Sequence, residues 1–323
     1  MTQAELVDKI AAAKERIDAV RKEVGRVYIG RVETVDHMLV ALLAGGHVLL
    51  EGVPGVAKTT LAKAFAAALG VEVRRIQFTP DLLPADITGT YVLSPREGTF
   101  SFRKGPVFAN VVLADEINRA PPKTQAALLE AMQEQTVTVE GDAFSLPSPF
   151  IVVATQNPID LEGTYPLPEA QIDRFLIHLE VGYPSRDDEV RMLMAHHVHA
   201  AEASAMIDAS AVAHMQSLVR NVHVDKDLYE YAVGLTEYTR NDNRVLLGAS
   251  PRATLGLIQT AKAAAIMEGR GYATPDDVRN YAVPVLAHRL VLSDEVDGDH
   301  GVRAEVIRGA LSRVSYRKAI RPV

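Results

Sequence analysis

The chain has 323 residues, a formal net charge of -7 and neither cysteine nor tryptophan. A chain of this length can bury one large core and a smaller second one. The lack of cysteine excludes a disulfide framework and a thiolate metal site, and it agrees with a reducing compartment. Because the charges are interspersed and negative overall, the composition argues against strong electrostatic binding to nucleic acid.

Membrane insertion is not expected either. The N-terminal residues MTQAELVDKIAAAK lack the apolar region of a signal peptide. The longest apolar stretch, Met38 to Leu50, contains Gly45 and Gly46 and is too short to span a bilayer. We therefore expect a soluble, cytoplasmic protein.

Two helices and a strand are predicted first. Thr2 and Glu5 form a capping-box pattern, after which apolar residues recur at spacings of four and three as far as Gly25. We expect this helix to dock on the protein's own core rather than in a coiled coil. A second helix from Val35 to Leu43 leads into an apolar strand over residues 47–51.

A glycine-rich turn and a helix start follow this strand directly. Such a turn aims backbone N–H groups and a helix dipole at an anion, so it predicts a phosphate cradle. We expect Lys58 to reach the β- and γ-phosphates of ATP and the Thr59 hydroxyl to hold Mg²⁺. The alternative is an ordinary strand–turn–helix with a surface lysine. The predicted cradle consists of Gly52, Val53, Pro54, Gly55, Val56, Ala57, Lys58, Thr59 and Thr60.

One residue of the cradle departs from the strict motif. Ala57 stands where the pattern has its last glycine. Alanine is acceptable there if the residue already has helical dihedral angles, so the prediction stands.

An acidic pair ends a later apolar strand, Val111 to Ala114. Beside a phosphate cradle, Asp115 is expected to hold the Mg²⁺ shell and Glu116 to orient or deprotonate the attacking water. A solvated acidic pair at a strand end is the alternative. The next apolar strand delivers Asn157, whose amide could polarise the water or contact the γ-phosphate. Otherwise Asn157 holds a turn before Pro158.

Two arginines are further candidates. Arg174 follows Asp173 just before the last strand, where it can face a neighbouring subunit's nucleotide as an arginine finger. A surface Asp–Arg pair is the alternative. Arg252 opens a helix of the second half and is a candidate γ-phosphate sensor, with its own or a neighbouring nucleotide left open. A metal site at His196, His197 and His199 is not favoured, because no carboxylate completes it.

The order of elements predicts an α/β fold. Two hairpins are expected, Gly89–Leu93 with Thr99–Phe102 and Thr136–Val139 with Ala143–Leu146. After Tyr183 and Pro184 only helical patterns follow. We therefore predict a parallel α/β domain over residues 1–184 and an all-α domain over residues 185–323.

Several long strings resemble the MoxR family of AAA+ ATPases: GVPGVAKT, FRKGPVFANVVLADEINRAPPKTQAALLEAMQE, VVATQNPIDLEGTYPLPEAQIDRF and GASPRA. Members of that family commonly carry alanine at the position of Ala57. The resemblance implies an AAA+ P-loop core with a parallel five-stranded sheet and a helical lid. It also implies a helix-2 insert over about residues 86–108 and a hairpin before sensor 1 over about residues 136–146.

The same resemblance implies a role for each candidate residue. Lys58 and Thr59 would belong to Walker A, and Asp115 and Glu116 to Walker B. Asn157 would be sensor 1, Arg174 the arginine finger and Arg252 sensor 2. Similar proteins form rings, usually hexamers, and act as chaperone-like ATPases on client proteins, with partners that carry von Willebrand factor A domains.

Two other functions compete with this interpretation. A DNA-acting AAA+ motor would use basic hairpins, and the first hairpin carries Arg96, Arg103 and Lys104. Glu97 lies among these residues, however, and no aromatic–basic stacking array accompanies them. A nucleotide-binding scaffold without turnover would have no need of the water-activating carboxylate of Glu116.

Overall fold

The computed structural model describes residues 3–52, 58–95, 98–157, 164–196, 202–293, 295 and 301–316. Its helices are α1 (Gln3–Val27), α2 (Val32–Leu43), α3 (Lys58–Ala68), α4 (Pro84–Thr88), α5 (Pro122–Glu134), α6 (Glu169–Ile172), α7 (Arg186–His196), α8 (Ala209–Arg220), α9 (Lys226–Arg240), α10 (Pro251–Met267), α11 (Pro275–Leu286) and α12 (Val302–Arg313). Its strands are β1 (Val48–Glu51), β2 (Val73–Gln77), β3 (Gly89–Ser94), β4 (Thr99–Lys104), β5 (Val111–Asp115), β6 (Thr136–Val139), β7 (Asp142–Ser145), β8 (Ile151–Gln156), β9 (Ile177–Glu180), β10 (Val245–Leu247) and β11 (Val291–Leu292).

A five-stranded parallel sheet organises the N-terminal part. Its strand order is β2-β5-β8-β1-β9, and every pairing is parallel. The central strands β5 and β8 are buried on both faces, which is typical of parallel sheets covered by helices. The register sets Glu51 level with Gln156 and Gln77 level with Asp115. The carboxyl ends of β1, β8 and β5 therefore lie side by side, as the predicted α/β fold requires.

Each face of this sheet has its own hydrophobic core. Leu50 and Leu113 belong to the larger core, which continues into α1, α2, α3 and the C-terminal helices. Leu49 and Val112 point into the smaller core, which lies against α4 and α5. The predicted docking of α1 is confirmed, because its apolar stripe is buried in the larger core: Ile10, Ala13, Ile17, Val20 and Val24.

Two antiparallel hairpins, β3–β4 and β6–β7, project from the α/β part. Aromatic side chains join them, although β5 and α5 separate them in sequence. The Phe102 and Phe144 rings stack with centroids 4.1 Å apart, and Phe108 packs edge-on against both. The Tyr91 hydroxyl donates a hydrogen bond to the Asp142 carboxylate. The hairpins therefore form one packed unit.

The C-terminal region is helical, with one addition that the all-α prediction misses. β10 and β11 pair as a short antiparallel ladder between Val245–Leu247 and Val291–Leu292. Strands of three and two residues are too short for their alternation to be recognised in sequence. The predicted boundary at residue 184 falls between β9 and α7 and stays a prediction. Within the described ranges, no helix combines the length and the apolarity needed to cross a membrane.

A buried histidine makes the stability of the sheet depend on pH. His47 Nδ1 accepts from the Val152 backbone N–H at 3.0 Å, and Nε2 donates to the Met132 carbonyl at 3.1 Å. Burial lowers the pKa of His47 to about 4, although the Met132 carbonyl opposes the shift. The unfolded chain, with an ordinary histidine pKa near 6.5, takes up a proton first as the pH falls.

We therefore expect the free energy of unfolding to decrease as the pH falls from about 6.5 to about 4. His47 alone contributes on the order of 3 kcal/mol to this loss, because one pKa unit corresponds to about 1.4 kcal/mol. Urea unfolding over this pH range measures it. His47→Asn should flatten the slope, whereas replacement of the exposed His223 should not. An unchanged slope in His47→Asn would contradict the assignment.

Candidate functional site

The predicted phosphate-binding residues meet at the carboxyl edge of the sheet. Lys58 is the first residue of α3 and lies at the end of β1. Its ammonium donates to the Gly52 carbonyl at 2.7 Å and to the Gln156 carbonyl at 3.5 Å, so it lies between the ends of β1 and β8. Burial lowers the pKa of Lys58, and the nearby carboxylates of Asp115, Glu116 and Glu51 partly oppose this.

Gly52 cannot be replaced by a larger residue at this place. A Cβ atom added to Gly52 would approach the Val181 carbonyl oxygen to 2.3 Å. The absence of a side chain thus lets the chain after β9 pass directly beside the start of the turn. Thr60 is exposed on the first turn of α3. The other predicted cradle residues, Val53, Pro54, Gly55, Val56 and Ala57, lie outside the described residues.

Asp115, at the end of β5, lies within reach of Thr59. The Thr59 hydroxyl donates to Asp115 Oδ2 at 3.3 Å, and the Thr155 hydroxyl donates to Oδ1 at 2.6 Å. Arg75, on β2, adds two bonds to Oδ2 from Nε and Nη2, at 3.0 and 2.7 Å. Burial alone would raise the pKa of Asp115. The hydrogen bonds from Thr155 and Arg75 and the charge of Arg75 outweigh burial, so the pKa lies below the usual range.

Glu116 follows with a left-handed backbone, φ 57° and ψ 51°. This conformation costs a non-glycine residue on the order of 1 kcal/mol, and such outliers concentrate at functional sites. Its N–H donates to the Thr155 hydroxyl at 2.9 Å, which anchors the turn. The carboxylate accepts from Gln77 Nε2 at 2.9 Å and from Arg119 Nη1 at 3.1 Å. Glu116 is therefore held at the sheet edge beside Asp115.

Asn157 directly follows β8, the strand between β5 and β1, and so lies at the end of a buried strand as expected from the sequence. It is 7 % exposed, and its carbonyl accepts a hydrogen bond from Asn118 Nδ2 at 3.4 Å. Because β8 separates β1 from β5, this residue lies between the lysine end and the acidic end of the site.

The two arginines lie elsewhere. Arg174 precedes β9, at the amino end of the sheet, and its Nη1 donates to the Leu129 carbonyl at 2.7 Å. Arg252, at the start of α10, lies 3.8 Å from the Asp173 carboxylate. Both line one cleft of about 310 Å³ that also contains His47. Since four strand residues rise roughly 13 Å, neither guanidinium is near Lys58 of the same chain.

A third arginine, Arg289, connects the C-terminal region to the segment just before β9, beside this cleft. Arg289 is 8 % exposed and donates to Asp173 Oδ1 at 2.7 Å and to the Phe175 carbonyl at 2.8 Å. Burial lowers the pKa of Arg289, and the Asp173 carboxylate opposes this shift. Among the described residues that line the cleft, three arginines face a single carboxylate, so the cleft is positively charged. Asp173 pairs with Arg252 and Arg289, whereas Arg174 donates to a main-chain carbonyl, which leaves its charge available to an anion.

Sequence reasoning missed several residues of the site. Arg75 and Gln77 contact the two acids from a strand that carries no recognisable motif; only its alternation places both side chains on one face. The elbow formed by residues 28–31, between α1 and α2, was also missed. With Val181–Ser185 and Met192 it lines a pocket of about 260 Å³ beside Gly52. A short apolar run that ends in glycine, from Val27 to Gly30, was the available signal.

No cluster of three or more His, Asp or Glu side chains suited to a metal occurs within the part of the chain that the structure describes. The side chains of His196, His197 and His199 lie outside that part. Magnesium binding in the predicted manner needs no such cluster, because Mg²⁺ keeps several waters and takes one or two protein oxygens.

Comparison with known proteins yields consistent similarities. Residues 47–177 match the family described as "ATPase family associated with various cellular activities (AAA)", and residues 237–308 match the AAA lid domain. The chain is 45% identical over 95% of its length to Chaperone MoxR1 of Mycobacterium tuberculosis (strain ATCC 25618 / H37Rv), covering 84% of that protein. It is 44% identical over 93% of its length to the uncharacterized protein YeaC of Bacillus subtilis (strain 168), covering 95% of that protein.

A solved structure shows the same fold. A crystal structure from Cytophaga hutchinsonii ATCC 33406, provisionally described as an ATPase, superimposes with a TM-score of 0.90 and is 37% identical in sequence. The match covers 96% of this chain and 98% of that one. The similarity therefore extends over both the sheet and the C-terminal helices.

Proposed function

This chain belongs to the MoxR family of AAA ATPases, and on that premise we propose that it is a ring-forming, Mg²⁺-dependent ATPase that remodels a partner protein. The observation that carries the proposal is the meeting of Lys58, Thr59, Asp115 and Glu116 at the carboxyl ends of β1, β8 and β5. Such an edge of an open parallel sheet is where ligands bind in α/β folds.

The residues present fit ATP and Mg²⁺. Among the described residues, the acceptors of the partly buried Lys58 ammonium are the main-chain carbonyls of Gly52 and Gln156, so the ammonium suits the β- and γ-phosphates. Thr59 and Asp115 supply hydroxyl and carboxylate oxygens, which are the ligand types that Mg²⁺ takes. When bound, Mg²⁺ would neutralise charge that develops on the phosphate oxygens.

Glu116 and Asn157 act on the attacking water. The Glu116 carboxylate is held by Gln77 and Arg119, and it is the nearest acid in sequence to the metal-binding Asp115. It orients or deprotonates the water, while the Asn157 amide polarises the water or contacts the γ-phosphate. The pocket at the Tyr28–Arg31 elbow takes the adenine, because it lies beside Gly52 and is lined by both apolar and polar groups.

Arg174 and Arg252 serve a neighbouring subunit. Both lie in one positively charged cleft at the amino end of the sheet, whereas Lys58 lies at the carboxyl end. A head-to-tail contact brings these two different surfaces together, and repeated contacts of that kind close a ring. Arg174 would be the arginine finger. For Arg252, which sequence reasoning left open, its position favours action in trans.

A hexamer, a von Willebrand factor A domain partner and a cytoplasmic location belong to the proposal through the family resemblance. The name of the M. tuberculosis relative, a chaperone, supports action on a protein client. The described hairpin residues do not support the DNA-motor alternative. The Lys104 ammonium lies 5.2 Å from the centroid of the Phe108 ring instead of forming part of an open basic array. Salt-dependent DNA binding would revive that alternative.

Nucleotide-dependent assembly tests the proposed composite site. If each nucleotide bridges two subunits, a non-hydrolysable ATP analogue with Mg²⁺ should favour the ring by mass action. Light scattering at roughly 20 µM subunit should then show a several-fold increase in mass on adding the analogue. ATP turnover per subunit should also rise with protein concentration. An unchanged monomer with concentration-independent turnover would contradict a shared site.

A further inference from the structure

Arg75 places a positive charge on the carboxylate that the proposed function assigns to the metal. Its Nε and Nη2 both donate to Asp115 Oδ2, at 3.0 and 2.7 Å. The Thr59 hydroxyl donates to the same oxygen at 3.3 Å, whereas the other oxygen accepts from Thr155. The guanidinium therefore occupies the side of Asp115 that faces the predicted magnesium ligand.

Burial explains why Asp115 needs a cation there. The Asp115 side chain is 10% exposed, and a buried carboxylate is costly unless it is paired and hydrogen-bonded. Lys58, the other nearby cation, is directed at the carbonyls of Gly52 and Gln156 instead. Arg75 is thus the side chain that balances the charge of Asp115 in this structure.

Arg75 is also placed to move away. It lies on β2, the strand at one edge of the sheet, and its side chain is 48% exposed. It has a second acceptor within reach, because Nη2 also donates to Gln77 Oε1 at 2.5 Å. A long, half-exposed side chain can leave Asp115 without unpacking the core, and it keeps Gln77 as a partner when it does.

We infer that Arg75 balances Asp115 in the metal-free state and withdraws from it when Mg²⁺ and nucleotide bind, so that Arg75 sets the Mg²⁺ concentration that tight nucleotide binding requires. This inference rests on the proposed ATPase site. Its physical basis is competition, because a guanidinium and a magnesium shell would compete for the lone pairs of one carboxylate oxygen, and the two cations repel each other.

Magnesium titration of nucleotide binding tests the inference. The full chain is mixed with a fluorescent ADP analogue, and MgCl₂ is titrated into the wild type, Arg75→Ala and Arg74→Ala. Arg74 is the matched control because it is adjacent, exposed and paired with Glu72 instead of Asp115. Removing the competing cation should lower the half-saturating Mg²⁺ concentration about fivefold, the scale of a half-exposed ion pair. Arg74→Ala should match the wild type.

A second readout keeps the test valid if Arg75→Ala folds poorly. Without metal, Arg75→Ala and the milder Arg75→Gln should both melt below the wild type, because Asp115 has lost its partner. MgCl₂ with ADP should narrow that difference. A half-saturating Mg²⁺ concentration that is unchanged or higher in both variants would overturn the inference and leave Arg75 a structural residue. Failure of the wild type itself to bind the ADP analogue would instead refute the proposed function.

Discussion

Replacing Lys58 by alanine is expected to abolish nucleotide binding, whereas Glu116→Gln should bind ATP normally and hydrolyse it poorly. In the proposed site the Lys58 ammonium meets phosphate in the ground state, and a hydrogen bond to a charged group is worth up to about 3 kcal/mol. Affinity should therefore fall about a hundredfold or more in Lys58→Ala. The role proposed for Glu116 is to act on water in the transition state, so turnover should fall about 10²- to 10⁴-fold in Glu116→Gln.

Titration with a fluorescent ATP analogue and a phosphate-release assay measure both variants. Lys63→Ala is the control for Lys58, because Lys63 is exposed on the same helix and should change neither quantity. Equal losses of affinity in Lys58→Ala and Glu116→Gln would contradict the division of roles between them.

Most of the sheet could be predicted from the sequence because its strands are short apolar runs bounded by clear turns. The sequence predicts β1, β5, β8 and β9 as strands, and Asn157 directly follows β8, the neighbour of β5, as expected. Helix starts with explicit caps are also predictable: Ser185, Ser250 and Thr274 each accept a hydrogen bond from the backbone N–H three residues on.

Local patterns failed where tertiary packing decides. Helix α1 was expected to end at Gly25 but continues to Val27, since Val24 and Tyr28 are buried and the Tyr28 N–H bonds the Val24 carbonyl at 2.8 Å. The β10–β11 ladder joins segments that are far apart in sequence, so neither strand can be recognised from its own local sequence. Pairing between distant short segments has no periodic signal.

The candidate site likewise contains residues that local sequence patterns predict and residues that depend on tertiary contacts. Lys58, Asp115 and Glu116 could be predicted as site residues because each lies in a local sequence pattern. Lys58 follows a glycine-rich turn at a helix start, and the two acids end an apolar strand. Arg75 and Gln77 act through a cross-strand contact, and their role depends on β2 being the neighbour of β5. The position of Arg252 beside Arg174 depends on how α10 packs against the sheet, which no local pattern encodes.

Arg174→Ala is expected to lose ATP turnover about 10³-fold or more while its own nucleotide affinity stays near that of the wild type. An arginine finger stabilises charge that develops on the transferred phosphoryl group, and its removal has effects of that size in other phosphoryl-transfer enzymes. Affinity should survive because Arg174 lies at the opposite end of the strands from Lys58. Arg220→Ala, at an exposed arginine on α8, is the control. A large loss of affinity in Arg174→Ala would contradict this placement.

Mixing inactive subunits tests the shared site most directly. Arg174→Ala keeps Glu116, and Glu116→Gln keeps Arg174, so a site between one subunit of each kind has every catalytic group. Random equal mixing makes about a quarter of the interfaces complete, and turnover should recover toward that fraction. Arg252→Ala mixed with Glu116→Gln should recover in the same way, because Arg252 shares the cleft. No recovery in either mixture, with subunit exchange confirmed by energy transfer between labelled subunits, would contradict action of these arginines in trans.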